Sequence, residues 1–373
     1  MGKRESAMEN MVREVTSDFY YGKRILVTGH TGFKGTWLCR MLIDFGAEVT
    51  GYSLSFPTAE GEKIFRSVVK EDVASIEGDI RDLSSLEKAF HIARPEIVLH
   101  LAAQPIVLDS YLRPVETYEV NVMGTVNLME CVRRSDTVQS VVNVTTDKVY
   151  ENHEWVWGYR ETDLLNGYDP YANSKSCSEL VTHCYEKSFF AERGIAVSTM
   201  RAGNVIGGGD FSPHRILPDC VRAAMAGASV EVRNPRAIRP YQHVLDPLYA
   251  YLMVAQAQYT DSAFSDCYNV GPNETDTVTT GELAGLFCTA WGEGMCWHSG
   301  NMSGLHESQV LRLDCSKLKS VFGWKPRWQI EEAVKRTVEW SKVYRNGEDI
   351  RENMSSQIRS FMGGKNGQQA GTA

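Results

Sequence analysis

The sequence has no apolar stretch long enough to span a membrane. Its opening segment, MGKRESAMENMVREVTSDFYYGKR, mixes charges where a secretory leader would carry an apolar run. Export is therefore not expected, and a cytoplasmic location is. The nine cysteines (Cys39, Cys131, Cys177, Cys184, Cys220, Cys267, Cys288, Cys296, Cys315) are odd in number and contain no CxxC pair. This argues against a disulfide framework or a zinc site, so reduced thiols and no metal are expected. Nor is there an excess of positive charge, since 39 Lys and Arg face 47 Asp and Glu for a formal net charge of −8. Binding to nucleic acid, which calls for a basic stripe, is not expected. An anionic small ligand needs only local Arg and Lys and stays open. No internal repeat is visible.

With 43% hydrophobic and 23% charged residues the composition is that of a globular protein. The length of 373 residues fits one large α/β unit or two joined lobes. From Arg24, RILVTG reads as a strand, a glycine-rich turn follows, and TWLCRMLIDFG has helical spacing. AEVTGYSL, ASIEGDIRD and EIVLHLAAQP read as further strands, with LSSLEKAFHIA as a helix before the last. TYEVNVMGTVNLMECVRRS reads as a helix, VQSVVNVTT as a fifth strand, YANSKSCSELVTHCYEKSFFAER as a long helix and AVSTMRAGNV as a sixth strand. Such alternation predicts an α/β fold of Rossmann type, a doubly wound parallel sheet. Beyond Asn204 the pattern becomes irregular, which suggests a smaller mixed α/β lobe at the carboxyl edge. The expected division is a dinucleotide-binding domain over 22–204 with parts of 238–270, a substrate lobe over 205–237 and 271–345, and extensions over 1–21 and 346–373. The tail SFMGGKNGQQAGTA is polar and glycine-rich and is expected to be mobile.

Directly after the first strand, TGHTGFKG sets Gly29, Gly32 and Gly35 in GxxGxxG spacing at the mouth of a helix. Glycine allows the tight turn, the close approach of backbone to a pyrophosphate and close helix–strand packing, and the helix N-terminus supplies amide donors. A dinucleotide is the expected ligand, held around Gly29, Thr31, Gly32, Phe33 and Gly35. An acid at the end of the second strand would bond the ribose hydroxyls of NAD; GYSLS offers Ser53 and Ser55 instead, so NAD leads and NADP stays open. Asp79, after the third strand, either bonds the adenine amino group or caps the next helix.

GYDPYANSK places Tyr171 and Lys175 one helical turn apart on one face. A nearby ammonium favours tyrosinate, which can take a proton from an alcohol near neutral pH. At the end of the fifth strand, VTTDK adds Thr146, Asp147 and Lys148. Oxidation of an alcohol requires the tyrosine and one hydroxyl; the extra acid and amine suggest a second proton transfer.

These residues resemble the extended short-chain dehydrogenase/reductase family, and within it the nucleotide-sugar 4,6-dehydratases, nearest to the branch acting on CDP-glucose. The likeness is carried by VTGHTGFKGTWL, HLAAQPIV, NVMGTVNLME, DKVYENHEWVWGYRE, GYDPYANSK, RAGNVIGGGDF, NPRAIRPYQHVLDPL and LDCSK, and covers most of residues 22–345. The resemblance implies that Tyr171, with Lys175 and Thr146, removes the proton from the carbon-4 hydroxyl while hydride passes to NAD. Lys148 then takes the carbon-5 proton, Asp147 protonates the departing carbon-6 hydroxyl, and the hydride returns to carbon 6. Ile80, Ala102, Ala103 and Gln104 join the implied cofactor contacts. Many sister dehydratases have Glu where Lys148 stands, and an amine can act as a base only when neutral. Ser55 and Phe56 stand where the branch favours an acid and proline, and TTDK replaces TSDK.

For a diphosphate, RAGNV offers Arg201 and Asn204, and the later loops offer Arg215, Arg233, Arg239 and His243. The resemblance supports Asn204, Arg233 and Arg239 in particular, and His306 with Glu307 as a further substrate loop. Gln104 and Tyr111 are expected near the sugar, and Trp155 and Trp157 either stack on a ring or fill core. A nucleotide-sugar partner and a homodimer or higher homo-oligomer are expected. The same scaffold also suits a nucleotide-sugar 4-epimerase or a catalytically silent nucleotide-binding protein. The nucleotide base is left open by the sequence.

Overall fold

The computed structural model describes residues 14–69, 71–300 and 309–363. Seven strands form one parallel sheet: β1 (Arg24–Thr28), β2 (Glu48–Ser53), β3 (Ala74–Glu77), β4 (Ile97–His100), β5 (Ser140–Val144), β6 (Ala196–Ala202) and β7 (Cys267–Val270). Their order across the sheet is β7-β6-β5-β4-β1-β2-β3, and every pairing is parallel. The first crossover leaves from the middle of the sheet, so β1 and β4 lie side by side and their carboxyl ends diverge into a crevice, the usual ligand position in open α/β sheets.

Successive residues of a strand point to opposite faces, and here both faces are covered, which is why the strands read as continuous apolar runs. Ile25, Val27, Ile97 and Leu99 point into a core with Trp37, Leu38 and Met41 of α1 (Phe33–Asp44). Leu26, Val98 and Val141 point the other way, onto Leu86 and Phe90 of α2 (Leu83–Ala93) and Leu128 and Val132 of α3 (Gly124–Arg134). α4 (Pro170–Tyr185) carries the YxxxK pair, and α5 (Leu245–Thr260), apolar on nearly all sides, is correspondingly buried.

A separate apolar cluster joins Leu217, Val221, Val232, Leu283, Phe287 and Trp291 to Val334 and Val338 of α6 (Ile330–Asn346). The loop after β6 is held between this cluster and the sheet. The Trp37 indole donates to Gly208 O at 2.8 Å, and a Cβ on Gly208 would lie 2.0 Å from the Trp340 ring. The segment before α3, expected as plain helix, contains a π turn over Glu119–Met123.

The sequence placed Ser360 at the start of a mobile tail. Instead Ser360–Gly363 completes α7 (Ile350–Gly363), with Phe361 fully buried against Trp328 at 5.3 Å and Arg327 bonding Phe361 O at 2.8 Å. The rest of the tail lies outside the described residues. Phe361→Ala is expected to cost about 3–5 kcal/mol, read as a lowered urea midpoint with the slope unchanged.

Candidate active site

β1 delivers the chain into the glycine turn. Gly29 has φ +72°, and a Cβ there would lie 2.8 Å from Ala102 N, so the turns after β1 and β4 touch through backbone. A Cβ on Gly35 would lie 2.3 Å from Gly29 O. The turn is therefore closed to a side chain at positions 29 and 35, and Gly32 starts α1 with no side-chain cap, leaving the first-turn amides to serve a ligand. This arrangement fits a dinucleotide phosphate.

At the end of β2, where the sequence lacks an acid, Ser53 Oγ bonds Thr31 Oγ1 at 2.9 Å and His30 Nδ1 at 3.1 Å, and His30 Nε2 bonds Ser75 Oγ at 2.7 Å. Burial lowers the His30 imidazole to about 4, so it is neutral. Asp79 forks onto Arg81 at 2.6 and 2.9 Å, and this bond holds its carboxyl below the ordinary value. It does not cap α2; Asp82 does, accepting from Ser85 N. The Ile80 side chain faces core, so only its backbone can meet a ligand. Ala103 and Phe33 line both clefts described below, and Gln104 lines the one beside the glycine turn.

α4 begins at Asp169, whose carboxylate accepts from Ala172 N at 2.9 Å, with Pro170 at the first helical position. That start turns Tyr171 and Lys175 toward the end of β5. Lys175 Nζ donates to Val144 O at 3.2 Å, and burial brings the amine down to about 8. Burial pushes the Tyr171 phenol up to about 12, opposed by a hydrogen bond with Thr146. Thr146 Oγ1 donates to Asp147 Oδ1 at 3.0 Å, and Lys148 Nζ donates to the same oxygen at 3.0 Å and to Asn204 Oδ1 at 3.3 Å. Asp147 is fully buried, and its Oδ2 is a buried atom with no hydrogen-bond partner. The five residues expected to do chemistry are thus adjacent: Thr146, Lys148, Tyr171 and Lys175 line one cleft of about 300 Å³ and Asp147 supports it.

That cleft also takes in Asn204, Arg215, Arg233 and Arg239, four of the expected substrate residues. A second cleft of about 420 Å³ runs from Thr31 and Thr58 to Gln104 and the Gly208–Pro213 loop. Two expected contacts are corrected. His243 is fully buried, with its ring 4.6 Å from Trp328 and 6.0 Å from Trp37, and lines neither cleft. Arg201 is buried too; it pairs with Glu179 at 2.9 Å and donates to the Tyr150 hydroxyl at 2.9 Å, so it braces the strand. Trp155 stacks on Tyr159 at 5.3 Å and fills core, whereas Trp157 is exposed. His306 and Glu307 lie outside the described residues.

Two residues were missed. Lys34 lines the main cleft with its Nζ 5.9 Å from the Tyr251 ring, and burial, with Lys175 and Arg215 nearby, lowers it to about 7. Its signal was an amine inside a glycine turn that has no need of one. Asn121, in the π turn, donates to Gln104 O at 3.1 Å and Ser174 Oγ at 2.9 Å, tying the β4 turn to α4. Periodicity carries no signal for such a turn.

Lys34 has a consequence for stability. Folding lowers its amine from 10.5 to about 7, so between those values folding releases a proton and stability rises with pH. Below about 7 the amine is charged in both states and the full burial cost remains. Lys34→Met is expected to raise the urea midpoint near pH 7 and to remove part of this pH slope.

The family model described as GDP-mannose 4,6 dehydratase matches residues 26–337. A CDP-glucose 4,6-dehydratase of Salmonella typhimurium is 44% identical over 355 residues, spanning 93% of this chain and 98% of that protein. A dTDP-D-glucose 4,6-dehydratase of Mus musculus is 27% identical over 86% of this chain and 89% of its own length. Among solved structures, a UDP-glucose 4-epimerase of Thermus thermophilus in complex with NAD superposes with a TM-score of 0.74 at 27% identity, covering 86% of this chain and 99% of that one. The chain belongs to the GDP-mannose 4,6 dehydratase family.

Proposed function

We propose that the protein is a nucleotide-sugar 4,6-dehydratase that converts CDP-glucose to CDP-4-keto-6-deoxy-glucose and water, with NAD as the cofactor. One observation carries the chemistry: an acid and an amine, Asp147 and Lys148, hydrogen-bonded to each other beside Thr146 and in reach of the Tyr171–Lys175 cleft. The 44% likeness to a CDP-glucose enzyme over nearly its full length supports the substrate.

The glycine turn would hold the cofactor phosphates on backbone amides, and Lys175 and Tyr171, which line the adjoining cleft, would hold its ribose. Bound there, NAD would supply the hydride acceptor for carbon 4 and, once reduced, the hydride donor for carbon 6. Tyr171, as phenolate, removes the proton of the carbon-4 hydroxyl, which Thr146 orients. The ketone so formed acidifies the proton on carbon 5. In the structure Lys148 is bonded to Asp147 as an ammonium to a carboxylate. A shift of one proton along that 3.0 Å bond makes an amine and a carboxylic acid, the base and acid that elimination needs. Lys148 then takes the carbon-5 proton while Asp147 protonates the oxygen leaving carbon 6. Asn204, Arg215, Arg233 and Arg239 hold the diphosphate end.

An epimerase needs Tyr171 and NAD but has no use for the Asp147–Lys148 pair, and a silent binding protein has no use for either set. Oligomerisation is supported by Leu180, apolar and exposed on α4, and by Leu112 and Val115, exposed on the short helices Val107–Leu112 and Pro114–Tyr118 beside it; we assign that face to a homodimer. A reducing cytoplasmic setting is supported by nine free cysteines.

With CDP-glucose and NAD the expected product is lighter than the substrate by one water, by mass spectrometry; unchanged mass with inversion at carbon 4 means an epimerase. Tyr171→Phe is expected to lower turnover by about 10²–10⁴-fold. Lys148→Met is expected to oxidise the sugar yet release no water, seen as reduced cofactor persisting in the spectrum. Leu180→Asp is expected to shift the sedimentation coefficient to that of a monomer.

A further inference from the structure

The proposed chemistry employs Lys148 and Lys175 and leaves the third lysine of the main cleft, Lys34, without a task. Lys34 follows Phe33 in the first turn of α1, so its amide belongs to the glycine turn while its side chain runs into the main cleft. It does not line the second cleft, although Thr31, Phe33, Thr36 and Trp37 do.

A lysine normally ends in water or against an acid. Here Nζ ends 5.9 Å from the centre of the Tyr251 ring, at the outer limit of a cation–π contact, and makes no hydrogen bond or ion pair among the described residues. The charged and titratable groups that face it are Lys175 of α4, Asp147 after β5, Asp210 and Arg215 of the loop after β6, and Tyr251 of α5. Both acids are already engaged: Asp210 pairs with Arg215 at 3.3 Å and Asp147 with Lys148 at 3.0 Å. Lys175 and Arg215 oppose a charge on Lys34, and burial adds to them, so the amine is held down at about 7. Six Lys and Arg line the cleft against three Asp and Glu, so what this set lacks is an anion. The anion that both proposed ligands contain is a diphosphate ester.

We propose that Lys34 Nζ binds an oxygen of a diphosphate ester in the main cleft and takes up a proton as it does so. The inference rests on the reading of the ligands as a nucleotide sugar and NAD. The backbone amides of the glycine turn offer a phosphate donors of fixed polarity, whereas Lys34 adds a donor whose charge is called up by the ligand. An anion beside an amine favours the ammonium form. The proton comes from solvent and bonds the Nζ lone pair; no other bond is made or broken. Above about pH 7 the free amine is mostly neutral, so binding draws in a proton and affinity falls as pH rises. Below that value the amine is charged before the ligand arrives and binding takes up nothing.

Titration calorimetry at pH 8, in two buffers of different ionisation enthalpy, counts the protons. In one arm CDP-glucose is added to the protein loaded with NADH, which cannot accept hydride and so leaves the sugar unreacted. In the other, NAD is added to the protein freed of cofactor. The native protein is expected to take up about one proton per site in at least one arm, falling to about a tenth at pH 6; the arm that shows it tells whose diphosphate Lys34 holds. Lys34→Met is expected to abolish the uptake and to weaken the same ligand about 10–100-fold. Binding without uptake in both arms, or uptake that survives in Lys34→Met, overturns the proposal. Should Lys34→Met fail to fold by circular dichroism, the pH dependence of the native protein decides: affinity dropping about tenfold from pH 8 to 9 supports the proposal and a flat profile overturns it. A native protein that binds neither CDP-glucose nor NAD sinks the reading of the ligands themselves, whereas binding of both with no proton taken up sinks only the role of Lys34.

Discussion

A fully buried carboxylate whose hydrogen-bond partners are one hydroxyl and one ammonium is the constraint on which this site depends. An ion in such a place is costly unless paired, and removing one partner of a buried pair leaves an uncompensated charge. Asp147 is paired through Oδ1 alone, by Thr146 and Lys148, and Oδ2 has no partner. The rest of the architecture keeps that carboxylate in place: β5 ends at Val144, Thr146 caps the short turn that follows, and Asn204 after β6 steadies Lys148 from the far side. The acid is thus neither free to leave nor saturated.

Much of this was legible in the sequence because the relevant geometry is local. A glycine triplet after a strand, a Tyr and Lys one turn apart, and a strand ending in TTDK each fix their own arrangement within a few residues. The sheet was legible for the same reason: both faces are buried, so each strand announces itself as an apolar run. His243 and Arg201 were misread because their surroundings come from far along the chain. Trp328 seals the first, and Glu179 with Tyr150 claims the second. A polar residue near a strand end looks the same in sequence whether it faces a cleft or a buried partner. The C-terminal helix was missed at Phe361, whose partners Trp328 and Arg327 lie more than thirty positions away.

The cofactor side shows a different balance. Where an acid would normally read the ribose, a neutral imidazole and three hydroxyls bond one another. His30 has room only because residue 51 is glycine, since a Cβ there would lie 2.2 Å from the ring. Two positions distant in sequence are thereby coupled by volume: a side chain at position 51 requires the ring at position 30 to give way.

Gly208 is held from two sides. Its carbonyl accepts from the Trp37 indole and its α-carbon lies against the Trp340 indole, both rings being part of the sheet core. A strip of backbone pinned from both sides cannot act as a slack hinge. The edge of the second cleft that it forms is therefore fixed by two indoles and does not depend on what the cleft holds.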